Sequence, residues 1–153
     1  MKYSALDAID RKILKELQRD ATLSHATLAE RVGASSASVW RRVKALEAAE
    51  VLGKAIRLVN PARVGLTLNV LCSVRMRDQQ ARDSFEAFVR GRPEIVTCFS
   101  MSGDWDYMLR IVVANIDAFN DLLMRDLLSH PSVANTSSNF VLGTVKMTTE
   151  LPA

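Results

Sequence analysis

Two short stretches carry residues whose types and spacing could do chemistry. The first is Ser36-Ala-Ser-Val-Trp40-Arg41-Arg-Val-Lys44, where small hydroxyl and methyl side chains give way to basic ones after a single helical turn. At about 100° per residue, Val39, Val43 and Leu46 make one apolar stripe. Ala37, Arg41, Lys44 and Ala48 point the other way, and Trp40 lies on a flank. Small residues let a helix backbone approach base edges in the major groove, where arginine or lysine then reaches phosphate or guanine. Ser36, Ala37, Ser38, Trp40, Arg41 and Lys44 are therefore the candidate DNA contacts. A plain helical hairpin with a solvated basic face has the same charge; the small N-terminal residues, a preceding Gly33 turn and the Trp-Arg-Arg run favour DNA. The second stretch is Ser102-Gly103-Asp104-Trp105-Asp106. A glycine lets backbone amides approach a carboxylate closely, and Asp104 or Asp106 could pair with an ammonium group. A tight hairpin whose aspartates only satisfy turn amides uses the same residues, so spacing leaves both readings open.

The elements that position these residues follow from periodicity. Ser24 caps a helix to about Val32, with Leu28, Ala29 and Val32 on one face; Gly33 suits the left-handed end, and Ser35 or Ser36 caps the next helix. Ahead of them, Ser4-Ala-Leu-Asp7 is a capping-box-like start to a helix reaching about Arg19, with Leu6, Ile9, Ile13 and Leu17 inward. Three helices with a basic third make a minimal helix-turn-helix domain. Glu50 to Lys54 ends it with Gly53 as the stop, Ala55 to Val59 reads as a strand, and Asn60-Pro61 opens a hinge. The expected organisation is a DNA-binding domain over 1–59, a hinge over 60–66 and a second domain over 67–153. In the second half, strand signals at Leu68–Met76, Ile95–Met101, Tyr107–Val113 and Val133–Met147 alternate with helical ones at Ala81–Arg90 and Ile116–Leu128. That βαββαβ order predicts a ferredoxin-like α+β sandwich, with one sheet face under the helices and the other free to meet a second subunit.

Charge divides along the same boundary. Up to Asn60 there are eleven basic and seven acidic residues, a net of +4; from Pro61 there are nine and ten, a net of −1. One domain is thus suited to phosphate and the other is not. Cys72 and Cys98 lie singly inside apolar runs and read as small buried hydrophobes in a reducing compartment, neither a disulfide nor a metal site. His25 and His130 are too isolated for catalysis and read as structural. No catalytic, metal or cofactor constellation is expected. The apolar runs are too short to span a bilayer and the first residues lack a secretory h-region, so a cytoplasmic protein is expected.

Several motifs line up in order. Leu6-Asp-Ala-Ile-Asp10-Arg11-Lys-Ile-Leu, Leu28-Ala-Glu-Arg-Val-Gly33, Arg41-Arg42-Val-Lys-Ala-Leu46-Glu47, Asn60-Pro61 through Gly65-Leu66, Gly103-Asp104-Trp105-Asp106-Tyr107 and Thr148-Thr149-Glu150-Leu151-Pro152 together resemble the Lrp/AsnC, or feast/famine, family of transcription regulators. The resemblance covers nearly the whole chain. It implies a winged-helix-like N-terminal domain and a RAM/ACT-like regulatory domain that dimerises through its sheet and assembles further, often to an octamer. It also implies a small-molecule effector, usually an amino acid, bound at interfaces between the dimers, with the Gly103 loop contributing the site. Gly103, Asp104, Asp106 and Tyr107 carry over as effector residues, with Met101 beside them and Thr136 and Ser138 from the last strand. Trp40 and Met101 depart from the usual pattern, one bearing on the operator and the other on the ligand. Two other readings are a DNA-architectural protein without ligand control and a sirohaem-decarboxylase-like enzyme on the same architecture; the latter needs a basic and imidazole cluster that the two distant histidines do not make.

Overall fold

The structure, a computed structural model, describes residues 6–152, which divide into two compact units. One holds the chain up to Leu58 together with the segment from Lys146 onward; the other is Val59–Val145.

The helical unit contains α1 (Ala8–Arg19), α2 (His25–Val32) and α3 (Ser36–Ala48). Each begins at a residue whose side chain satisfies otherwise orphaned amides. Asp7 Oδ1 accepts from the N–H groups of Ile9 (2.9 Å) and Asp10 (2.8 Å), and Asp10 accepts from the Asp7 N–H. The capping box is therefore Asp7–Asp10, one turn later than the expected start; Ser4 lies outside the described residues. Ser24 and Ser35 cap α2 and α3, and Gly33 ends α2 at φ +74°. Ser36 is thus the first helical residue of α3, not its cap. Ile13, Leu14, Leu28, Ala29, Val32, Val39, Val43 and Leu46 form the buried core. After α3 the left-handed position belongs to Glu50 (φ 57°), not to Gly53, and the Val51 and Leu52 N–H groups both return to the Leu46 carbonyl.

The expected strand at Ala55–Val59 does not form; these residues are exposed and in no regular element, with Ile56 and Leu58 open to solvent. Among the described residues their β-favouring side chains find no second strand to pair with, and a lone strand satisfies none of its backbone groups. The expected second domain differs from the observed unit at its end, because the final segment returns to α1. Gln18 Nε2 donates to the Leu151 carbonyl (3.2 Å), the Leu151 N–H donates to Gln18 Oε1 (2.6 Å), and Arg19 pairs with Glu150 at 3.0 Å.

The second unit opens with a 3-10 turn, Pro61–Val64, capped by the Asn60 side chain and closed by Gly65 at φ +80°. It continues β1 (Leu68–Met76), α4 (Arg82–Arg90), β2 (Ile95–Ser100), β3 (Tyr107–Val113), α5 (Ile116–Asp121) and β4 (Val133–Phe140). The sheet is antiparallel in the order β2-β3-β1-β4, the ferredoxin-like arrangement. Val70, Cys72 and Val74 of β1 face the helices with Tyr107, Leu109 and Ile111 of β3, against Phe85 and Val89 of α4, Phe119 of α5, and Leu122 and Leu127 in the helical turn that follows it. On the other face stand Leu71, Ser73 and Arg75, with Met108, Arg110 and Val112 opposite and Thr97 and Phe99 on β2. Val112 is buried on that face yet outside the core.

Two boundaries differ from expectation by more than one residue. Beyond Asp121, α5 widens to π geometry over Leu122–Leu127, and the Leu128 N–H reaches back to Leu123. At that pitch residues five apart share a face, so Leu122 and Leu127 are both buried. Strand β4 stops at Phe140, short of Met147; Leu142 and Val145 are fully exposed.

Candidate nucleic-acid interface and effector loop

In α3 the apolar stripe turns Val39, Val43 and Leu46 inward and leaves Ser36, Ala37, Trp40, Arg41 and Lys44 exposed, with Ser38 half-buried. Ser38 is positioned by its backbone N–H, which donates to Ser35 Oγ at 3.3 Å. The basic residues of this helix differ in what holds them. Lys44 Nζ lies 2.7 Å from Glu47. Arg42 turns away and donates to Asp7 at 2.7 Å and Asp10 at 2.8 Å, fastening α3 to the cap of α1. These bonds hold the Asp7 carboxyl below its ordinary value, first through the Asp10 amide and then through Arg42. Arg41 makes no ion pair among the described residues and projects outward. The structure therefore brings the six candidate DNA contacts onto the open end and outer face of one helix. A free guanidinium and a loosely held ammonium stand one turn beyond the small residues.

The loop between β2 and β3 is pinned at its base. Met101 N–H donates to the Asp106 carbonyl at 2.8 Å, and Asp106 N–H donates to Val74 at 3.0 Å. The Asp106 carboxylate accepts from the Met76 N–H (2.7 Å) and lies 3.3 Å from Arg82. Arg75 Nε donates to the Asp104 carbonyl at 3.0 Å, and its guanidinium lies over the Trp105 ring. Tyr107 is buried, and its hydroxyl donates to Glu86 at 3.0 Å. Burial first, and the neighbouring Glu86 second, push its pKa up to about 12. At the tip, Gly103 takes φ +105°, with nothing near its missing Cβ. Met101, Ser102 and the Asp104 residue are exposed.

Of the expected effector residues, Met101, Gly103 and Asp104 thus form an open tip, while Asp106 and Tyr107 act as its anchors. Thr136 pairs with Val74, which in turn pairs with Tyr107, so Thr136 and Tyr107 share the helix-side face with β1 between them. Ser138 lies two residues further along β4, where its hydroxyl meets Cys72 sulfur at 3.6 Å. It is not brought to the loop. The supports Arg75, Arg82 and Glu86 were not among the expected site residues; their partners lie 20 to 30 residues away, and no local spacing signals them. Both cysteines are free, with thiols pushed up by burial. His130 packs between Phe85 and Phe88, its Nδ1 accepting from the Ser132 N–H. Among the described residues, no three His, Cys, Asp or Glu side chains gather as a metal site and no helix is long and apolar enough to cross a membrane.

A helix-turn-helix unit presenting a small-then-basic outer face, joined to a ferredoxin-like unit with an anchored glycine loop, defines a class: DNA-binding regulators with a ligand-binding module. Residues 6–47 match the AsnC-type helix-turn-helix domain and residues 69–151 the Lrp/AsnC ligand binding domain; the chain belongs to the Lrp/AsnC family of transcriptional regulators. It is 36% identical over 149 residues to the glutamate uptake regulatory protein of Zymomonas mobilis, covering 96% of this chain and 90% of that one. It is also 36% identical to the leucine-responsive regulatory protein of Salmonella typhimurium, covering 95% and 90%. A solved Neisseria meningitidis transcriptional regulator in complex with L-Met superposes with a TM-score of 0.92 at 38% identity, covering 96% of each chain.

Proposed function

We propose that α3 reads operator DNA, that the Gly103 loop binds a free amino acid, and that the chain works as a homo-oligomer built on the open sheet face. The observation that carries the DNA role is the division of labour in α3. Arg42 is withdrawn into ion pairs with Asp7 and Asp10, while Arg41 is left outward beside Ser36 and Ala37. Ser36, Ala37 and Ser38 approach base edges, Trp40 borders them, and Arg41 and Lys44 reach phosphate.

At the loop, the backbone around Gly103 takes the ligand carboxylate and Asp104 its ammonium; Met101 borders the side chain. Asp106 and Tyr107 hold the loop in shape, and Thr136 stands on its β4 side. An amino acid is favoured because the Neisseria relative is a complex with L-Met and the Salmonella relative is leucine-responsive by name. Leu71, Phe99, Met108 and Val112 give the open face an apolar centre suited to a second copy, and dimers assemble further to an octamer. Effector binding shifts that assembly and so the spacing of DNA-binding units, with a coupling of ~1–3 kcal/mol. The protein acts by binding, not catalysis, in the cytoplasm where its DNA lies.

The test is sizing by light scattering of the full chain, alone and with each amino acid in excess, beside DNA titrations at several salt concentrations. The expected result is an assembly larger than a dimer that one amino acid alters, with DNA affinity falling steeply with salt. Asp104→Ala should abolish that amino acid's effect and leave DNA binding intact. A fixed size with every amino acid would refute the effector role and leave the architectural reading.

A further inference from the structure

The helical unit completes its core without Trp40. Eight residues bury themselves between the three helices, seven more pack against them, and Trp40 is in neither set. The residue is 52% exposed, and its indole stacks on no ring or guanidinium among the described residues. A large aromatic exposed on a helix between a cation and small polar residues leaves apolar area in water that packing within the unit does not recover. Its position is specific. Ala37 lies one turn before it, so the Ala37 methyl and the Trp40 ring are neighbours at i and i+3. Arg41 and Lys44 border them toward the outer face.

The occupant of this patch follows from what the major groove offers. Base edges there are polar with one exception, the C5-methyl group of thymine. Apolar wedges that part base steps work from the minor groove, where a helix flanked by small residues and phosphate-seeking cations does not sit. We infer that Trp40, with Ala37, packs against a thymine methyl and so favours thymine at one position of each half-site. The inference rests on the reading of α3 as the DNA-contacting helix.

Substitution of uracil for thymine tests it, because this removes the methyl group and leaves every hydrogen-bonding edge in place. The full chain selects its preferred duplexes from a random pool. Each thymine of a selected site is then replaced singly by deoxyuridine, and affinities are compared for the wild type, Trp40→Phe and Trp40→Ala. Expected is one position per half-site where uracil weakens wild-type binding by about fourfold, the worth of one buried methyl-sized group. Trp40→Phe keeps that sensitivity and Trp40→Ala loses it, while unchanged thermal melting shows that the variant is folded. Three results would overturn the inference with the DNA reading intact: selected sites without a fixed thymine, no methyl-sensitive position, or equal sensitivity in Trp40→Ala. Failure of the wild type to bind any duplex even at low salt would overturn both.

Discussion

Adjacent arginines in α3 should respond to the same substitution in opposite ways. Arg41→Ala removes an outward guanidinium with no ion pair among the described residues. On the proposed role of α3, its loss should cost a phosphate contact and little else. Each neutralised phosphate contributes about 0.9 to the slope of log K against log salt, so the slope should shrink by about 0.9 per protomer, or ~1.8 for a dimer on two half-sites. Stability should change by no more than about 0.5 kcal/mol, as for other surface substitutions, and alanine suits a helix. Arg42→Ala instead severs bonds of 2.7 and 2.8 Å to the carboxylates that cap α1. The melting temperature should fall, while the salt slope of the still-folded protein should not change. The variants also differ in acid. Asp7 has a depressed pKa in the folded state, so its stabilisation is present above the ordinary value of 3.8 and is lost as pH falls through the lower folded value. Arg42→Ala removes part of that depression and should flatten the acid limb of the stability curve, while Arg41→Ala should leave it unchanged. DNA titration at four salt concentrations and melting by circular dichroism between pH 2 and 7 at roughly unit intervals would read both. An equal change of slope in the two variants, or unfolding by Arg41→Ala, would refute the assignment.

Three further outcomes follow from the same structure. Glu50 holds a left-handed φ of 57°, a conformation that costs a non-glycine residue ~1–2 kcal/mol, so Glu50→Gly should raise the melting temperature; a lowered one would mean that its side chain is needed. Tyr107, with its pKa raised from 10.0 to about 12, contributes stability that is fully present below pH 10 and lost as pH climbs toward 12, and Tyr107→Phe should lack that alkaline loss in melting experiments. Leu71 stands on the open sheet face proposed to meet a second copy, so Leu71→Asp should weaken dimer association more than about tenfold. Light scattering of an unchanged assembly would exclude that face.

What was legible in the sequence was what depends on neighbours within a turn or two. Alternation from Leu68 to Met76, broken only by Leu71, set the limits of β1, and the 3.6-residue stripe of Val39, Val43 and Leu46 set which face of α3 turns outward. The DNA-contact candidates are side chains on that face and inherit its legibility. Ala55–Val59 shows where this ends: its composition suits a strand, but a strand exists only with a partner, and composition carries no information about one. The shift of left-handed geometry from Gly53 to Glu50 has a similar origin, since the helix stops where Leu46 can close its carbonyl with two amides, and Glu50 bears the cost.

The effector loop is the harder case for the same reason. Gly103 and its flanking aspartates suggested an anion-holding turn, but which aspartate is free was decided elsewhere. Met76 and Arg82 engage Asp106 from 30 and 24 residues away, and Arg75 fixes the backbone of Asp104 from 29. Asp106 is consequently a strut and Asp104 the carboxylate at the tip. Truncating the two should separate those roles: Asp104→Ala should remove the proposed ligand contact from an intact loop, whereas Asp106→Ala takes the carboxylate acceptor from the Met76 amide and should loosen the loop itself. An amino-acid response weakened by both, with stability lowered only by Asp106→Ala, is the signature of that arrangement; the reverse pattern in melting would exchange their roles.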